Sequence, residues 1–521
     1  MTRNFILAFI LIFVFLFIYQ LFVFPPPQPQ KPVATDTTQA APETVAQKPT
    51  PAPAPPQTEE TKAAFPLASV PAETLKGQQG TIVVITPRYI ATLDRQNGRF
   101  LEWELPQYRN HSHDARLIDP QSSWGVVSTQ TPIRWLGAPE APETLRLGPD
   151  AQDSIVFVGQ LQDSIPVRKV WSFDGSSYVV AGAIEGLPKT AYLRFEPALQ
   201  VTEANEKEDL QYFKFLVSKE KLHQDAPKGL KNRKWYSADG LDWVGTRSKY
   251  FLLAVLPKTG LERVYGVQLN DHLIGLGLEF ERSFRFQMYV GPLDYFLLKQ
   301  EMPILANAYS FGNPIIAPFT KFLLYAFRLF HGFIPNYGWV IVLFAFLMKL
   351  VFWPLTRKSL QSMQKMQELK PKIDALKKIY KDDPQRMQQE MLELYKKYKV
   401  NPFSGCLPLL FQLPIFWALY QVLRESIEFR GAEFIFWIRD LSMKDPYYIL
   451  PILMGVTSLV QALIQSKAQD QQSKMLALFM PIFLTVIFLN FPAGIVLYWL
   501  AYNVYSVGES LLLRRATTKE E

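Results

Sequence analysis

Cysteine is nearly absent: Cys406 is the single one among 521 residues. No intrachain disulfide can form, so an exported domain of this chain must be held by its own core. Histidine is sparse, with five in all. His111 and His113 share a polar, loop-like stretch without the cysteines or acid spacing of a zinc site, so a surface loop is the plain reading. No phosphate-cradling loop and no catalytic triad is visible. Ser362-x-x-Lys365 matches a hydrolase pattern by letters only. These absences speak against an enzyme, a cofactor and a metal site.

What the chain does have is an uneven spread of apolar residues. Mean hydropathy is near zero, yet long apolar runs at both ends flank a polar middle. One core rarely grows beyond about 250–300 residues, so several units are expected. The net charge of +8 suits anionic partners such as lipid headgroups or ribosomal RNA, or reflects basic cytoplasmic loops alone.

Phe5 to Phe24 is apolar but for Tyr19 and Gln20, and ends in Pro25-Pro26-Pro27. It is longer than the core of a signal peptide, and reads as an uncleaved anchor spanning residues 1–24. A cleaved export signal is the alternative. Arg3 in front sets the N-terminus inside the cell. Residues 25–79 form a linker whose Pro, Ala, Thr and Gln bury too little surface to fold.

From 80 to 312 the period changes to two. Phe284, Phe286, Met288 and Val290 alternate with Ser283, Arg285, Gln287 and Tyr289. Asn97-Gly98, Asp174-Gly175 and Asp239-Gly240 mark turns. The pattern predicts an antiparallel all-β sandwich facing the periplasm. Sugar or peptide binding is open to it; packing and docking is the plainer role. At 313–336, Phe319, Phe322, Leu323, Ala326, Leu329, Phe330 and Phe333 share one helical face, with Lys321 and Arg328 on the other. That predicts an amphipathic helix in the membrane surface, or one packed on the sandwich.

Further spans are expected at 337–356 and, as four helices, within 402–513, followed by a tail at 514–521. The segment from Arg357 to Lys399 carries twelve Lys/Arg against six Asp/Glu, a net +6. Arg424 to Asp445 carries four against five, a net −1. Basic loops stay inside, so both termini are expected in the cytoplasm and the large domain outside. The loop at 357–401 is expected to be a helical hairpin, with Met366, Leu369, Ile373, Leu376 and Tyr380 facing Met387, Met391, Leu394 and Tyr398. Asp383 caps its second helix and Pro384 opens it. Its outer lysines, Lys370, Lys372, Lys377, Lys378, Lys396 and Lys397, are a solvated face or a docking surface.

Three stretches resemble the YidC family of membrane protein insertases. They are Pro354 to Leu423, with Asn401-Pro-Phe-Ser-Gly-Cys-Leu-Pro-Leu-Leu-Phe-Gln at its heart; Asp445-Pro-Tyr-Tyr-Ile-Leu-Pro-Ile-Leu-Met-Gly455; and Phe491-Pro-Ala-Gly-Ile-Val-Leu-Tyr498. The resemblance covers about 315–513, and the exported domain looks like that of the Gram-negative form. It implies a multi-domain membrane protein of six transmembrane helices, five of them the family core, plus the periplasmic sandwich. It implies insertion and folding of new inner-membrane proteins, alone or with the Sec translocon, beside a translating ribosome and without direct DNA binding. The path it implies is a hydrophilic groove open to cytoplasm and lipid, in which a positive charge receives the client's polar tail. Where the family usually carries arginine, this chain has Lys349, which lacks the planar fork.

The residues build part of that picture unaided. Lys349 lies seven residues before Thr356, about 10 Å inside the cytoplasmic edge. A charge at such depth is costly and usually functional; snorkelling to the interface is the alternative. Gln412, Gln461 and Gln465 lie in the inner halves of their spans. Tyr498, Tyr502, Tyr505 and Glu509 step by 4, 3 and 4 into one stripe. Glu509 is placed either to pair with Lys349 or to join Arg514 at the interface. A transporter predicts polar residues through both leaflets, but here they stop at mid-membrane. An envelope scaffold leaves Lys349 and the glutamines without a role.

Overall fold

A computed structural model describes residues 80–517, apart from 110–114, 119–123, 162–164, 189, 270–271, 399, 401–406 and 467–470. The expected N-terminal span and linker, His111, His113 and Cys406 lie outside the described residues, as do the side chains of Gln465 and Arg514. The chain divides into two compact units. One holds Leu369–Val400, and the other holds the rest of the described residues.

In the larger unit, residues 81–292 are built of strands in two sheets. The smaller sheet runs β4 (Arg116–Ile118), β3 (Phe100–Glu104), β2 (Ile90–Asp94), β1 (Thr81–Ile85) and β7 (Thr144–Arg146). The larger has β13 (Leu222–Asp225), β12 (Lys214–Ser218), β15 (Trp243–Arg247), β16 (Phe251–Gln268), β17 (Ile274–Pro292), β10 (Val179–Glu185), β9 (Ile165–Asp174), β8 (Gln152–Leu161) and β6 (Ile133–Gly137) in that order. Strands β11 (Thr190–Phe195), β5 (Val126–Thr129) and β14 (Lys234–Ser237) pair off this path.

Alternation decides which face is covered. In β9, Val167, Lys169, Trp171 and Phe173 point to the buried side. Trp171 meets Phe100 of the smaller sheet at 4.9 Å between ring centres, and its indole N–H donates to the Gly98 carbonyl at 2.8 Å. Gly98 has φ +63° and lies against the Phe157 ring, so a side chain there meets both strain and a clash. In β17 the expected alternation holds for Phe284, Phe286 and Met288 and then fails: Tyr289 is fully buried as well. Its ring packs on Tyr178 at 6.1 Å and its hydroxyl donates to the Pro292 carbonyl at 2.7 Å, so the strand is covered on both faces at this end.

Among the described residues the helices are α1 (Glu206–Asp209), α2 (Tyr295–Glu301), α3 (Ala317–His331), α4 (Tyr337–Ile379), α5 (Pro384–Lys397), α6 (Leu407–Glu425), α7 (Ile449–Ser466), α8 (Gln471–Phe488) and α9 (Ala493–Thr517). One stretch, Tyr337–Ser359 of α4, is long and apolar enough to cross a membrane; Ile449–Ile464 and Leu478–Phe488 are apolar but shorter. In α3 the protein covers one apolar face and leaves open much of the one expected to meet the membrane surface. Thr320, Leu323, Leu324 and Phe327 are buried, while Phe319, Phe322 and Leu329 are exposed. The helix is apolar around most of its girth, and the i, i+3, i+4, i+7 set takes the contacts. Phe327 meets Phe344 at 5.2 Å and Phe429 at 5.6 Å.

The end of α6 and the segment after it are clasped by the β domain. Arg430 pairs with Glu203 at 2.7 Å, and Arg424 with Glu208 at 3.2 Å. Lys249 reaches the same Glu208 at 2.9 Å. The Tyr250 hydroxyl donates to the Arg424 carbonyl at 3.0 Å.

In the smaller unit, the Asp383 side chain accepts from the Arg386 N–H at 3.0 Å, with Pro384 opening α5. Leu369, Met391 and Tyr395 are buried. Tyr398, expected in the seam, is exposed instead. Helix α5 stops at Lys397, so Tyr398 leaves the helical face and its ring meets Lys372 at 4.4 Å.

Candidate functional site

Helices α4 and α9 bring a lysine and a glutamate together inside an apolar setting. The Lys349 ammonium lies 2.7 Å from Glu509 Oε2, with both side chains about one-tenth exposed. It also donates to Ser506 Oγ at 2.8 Å, and the Tyr502 ring centre is 5.0 Å away. Periodicity explains the assembly. Tyr502, Ser506 and Glu509 step by 4 and 3, so they share one face of α9. The Ser506 hydroxyl donates to the Tyr502 carbonyl at 2.9 Å, which leaves its oxygen free to accept from the lysine.

The two oxygens of Glu509 are treated unequally. Oε2 takes the ammonium, whereas Oε1 is buried with no hydrogen-bond partner among the described residues. An ionised carboxylate has room for about four hydrogen bonds, so this one is under-supplied.

Gln412 is buried on α6, and its amide donates to the Tyr498 hydroxyl at 2.7 Å. Tyr498 is fully buried between the rings of Phe344 and Tyr502, each 6.1 Å away. Tyr505 is half-buried against Phe346 at 5.4 Å. Gln461 is half-buried on α7. The structure thus gathers Lys349 with Tyr502 and Glu509, and Gln412 with Tyr498.

Sequence reasoning passed over Asn503, Ser458, Ser506 and Ser510. Asn503 donates to Ser458 Oγ at 2.6 Å and so ties α9 to α7. Asn503, Ser506 and Ser510 step by 3 and 4, and that second polar stripe beside the tyrosines was the available signal.

In the smaller unit, Lys372 and Lys397 line a cleft of about 450 Å³ with Glu390 and Glu393, over Leu376, Ile379 and Leu394. Lys377, Lys378 and Lys396 are exposed, and Lys370 is half-buried.

The β domain has its own buried cation. Lys169 donates to the Asn97 carbonyl at 2.9 Å and the Gly125 carbonyl at 2.6 Å, between the rings of Trp135 and Trp171. Burial pushes its pKa down to about 7, against a smaller opposing pull from Asp94.

Two family models match this chain. That of the 60Kd inner membrane protein covers residues 329–520, and that of the YidC periplasmic domain covers 81–326. A membrane protein insertase YidC of Geobacter metallireducens is 32% identical over 489 residues, which are 88% of this chain and 90% of the relative. The chain belongs to the YidC family of membrane protein insertases. The YidC of Syntrophus aciditrophicus is similar to the same degree, 32% identical over 495 residues and covering 88% of each chain. A solved structure described as an active YidC insertase with its first transmembrane domain resolved is 21% identical, covers 83% of this chain and 92% of that one, and aligns with a TM-score of 0.40. As a YidC-family insertase, the chain is an inner-membrane protein. Its strands at 81–292 lie in the periplasmic domain, and its helical region lies in the part matched by the inner membrane protein model.

Proposed function

We propose that this insertase moves hydrophobic segments of newly made inner-membrane proteins into the bilayer along a hydrophilic groove open to the cytoplasm and to lipid. The groove is lined by Lys349, Gln412, Gln461, Gln465, Tyr498, Tyr502, Tyr505 and Glu509. Six helices span the membrane: one in 1–24, one in 337–356 and four within 402–513. Both termini are cytoplasmic. The hairpin at 357–401 presents Lys370, Lys372, Lys377, Lys378, Lys396 and Lys397 to a translating ribosome, and the Sec translocon is a working partner for part of the client range.

The observation that carries this reading is the buried Lys349, which Ser506 and Glu509 hold and which lies in the apolar stretch Tyr337–Ser359. A charge in such a place is expensive and is retained for function. The mechanism is physical. Each unsatisfied polar group of a client tail raises the cost of crossing hydrocarbon. A polar cavity reaching half-way shortens that passage. The membrane potential assists an acidic tail by about 2.3 kcal/mol per charge at 100 mV. The client's apolar helix then leaves water for lipid, which is downhill.

The test is protease protection in liposomes that hold only the purified protein. A single-span client with an acidic N-terminal tail is added as it is synthesised. Wild type is expected to protect the tail, while empty liposomes and Lys349→Ala are not. Equal protection in Lys349→Ala and wild type would remove the groove reading.

A further inference from the structure

We propose that Glu509 is an internal substitute for the client's acidic tail. It occupies Lys349 when the groove is empty, so a client enters only if its own carboxylates displace it. This rests on the groove reading above and adds to it a residue that sets client specificity.

Three features carry the inference. The contact between Lys349 and Glu509 is direct, at 2.7 Å, and shielded, so it is not a screened surface pair. The carboxylate is poorly supported, since Oε1 has no hydrogen-bond partner among the described residues. A buried acceptor left unmet destabilises its own state, which makes the pair easier to exchange than a fully bonded one. The cation is a lysine. Its ammonium is a compact charge on a flexible stem and can change partners by rotation, whereas an arginine fork is bound in a fixed plane. Ser506 accepts from the ammonium and donates to the backbone of Tyr502. The lysine is therefore anchored by a neutral group while its charged partner changes.

A competitor already on the lysine multiplies the apparent affinity of every tail that binds the lysine by the fraction of time that the lysine is free. A neutral tail does not use the lysine and feels no penalty. A tail with two carboxylates binds tightly enough to fill the groove in spite of that penalty, whereas a tail with one falls short of filling it.

The experiment uses the full chain in liposomes without a membrane potential. Three clients share one apolar span and carry tails with no, one or two aspartates. Wild type is expected to insert the two-aspartate client well and the one-aspartate client poorly. In Glu509→Gln the one-aspartate client should gain about fivefold and approach the two-aspartate client, while the neutral tail gains nothing. An unchanged ratio between the acidic clients in Glu509→Gln, with insertion lost in Lys349→Ala, would overturn the proposal and leave the groove intact. Insertion unchanged in Lys349→Ala would overturn the groove itself.

If Glu509→Gln does not assemble, the exchange Lys349→Glu with Glu509→Lys keeps a pair of opposite charges and decides the matter. The lysine then sits on α9, and two-aspartate tails should still compete for it better than one-aspartate tails. Loss of that dependence on tail charge overturns the proposal.

Discussion

Two buried ion pairs in this chain are of equal length and differently furnished. Arg430 and Glu203 join the segment after α6 to the β domain at 2.7 Å, and Lys349 and Glu509 join α4 to α9 at the same distance. Arg430 also donates to the Tyr108 carbonyl and lies over the rings of Tyr250 and Phe251, at 5.7 and 5.2 Å. Glu203 receives the Thr202 hydroxyl at 3.2 Å as well. Around Lys349 the furnishing is thinner, and Glu509 Oε1 goes without a partner among the described residues. Distance alone therefore does not tell a fastening from a switch. Both pairs carry the same desolvation cost in kind, and the supply of further hydrogen bonds decides which one is held shut.

The largest effect expected from this comparison is at the fastening. Arg430→Ala strands the Glu203 carboxylate in a dry site, and should cost about 3–5 kcal/mol. Thermal unfolding in detergent, followed by proteolysis between the β domain and the membrane helices, reads it. The joint replacement Arg430→Met with Glu203→Leu removes both charges and should recover most of the loss. If the single and double replacements are equally damaging, shape rather than charge holds the junction.

Much of the grouping around Lys349 is legible in the sequence, and the junction is not. A lysine within an apolar run stands out because its cost is visible residue by residue, and a 4, 3, 4 spacing places Tyr498, Tyr502, Tyr505 and Glu509 on one face with no other information. Ser506 and Asn503 were missed because short polar side chains in a helix are ordinary and bond their own backbone as readily as a neighbour. Glu203 and Arg430 are 227 residues apart. Nothing local marks either as buried, and loop charges read as solvated until the fold brings them together. The same holds for Tyr289, which sits at an outward position of β17 and is covered by the ring of Tyr178, just before β10. At Tyr398 the periodicity was sound and the contact was not, since an apolar stripe does not say what will lie against it.

Another buried cation, one without a carboxylate partner in contact among the described residues, sharpens the comparison. Lys169 has two carbonyls and two indole rings about it. It gives up its proton near pH 7 in the folded protein, and near 10.5 in the open chain. Between those values the unfolded state binds more protons, so stability should rise with pH, by about 2 kcal/mol from pH 7 to 9. Lys169→Met should flatten that slope. Denaturant unfolding of the full chain in detergent at pH 7, 8 and 9, monitored by tryptophan fluorescence, measures it. A flat wild-type profile would mean that the lysine stays charged and that carbonyls serve it as well as a carboxylate would.

The smallest effect belongs to the neutral pair beside the switch. Gln412 donates to the Tyr498 hydroxyl at 2.7 Å, and both side chains are buried. Gln412→Leu leaves that hydroxyl with one partner fewer in a dry place, which should cost about 1–2 kcal/mol. Tyr498→Phe in the same chain removes the stranded group, and the double replacement should regain part of the loss. No charge changes in either case. Client selection by tail charge should therefore stay as in wild type even where total insertion falls. A shift in selection from Gln412→Leu would mean that the neutral pair and the ion pair move as one unit, and that the line drawn here between fastening and switch lies further out than Lys349 and Glu509.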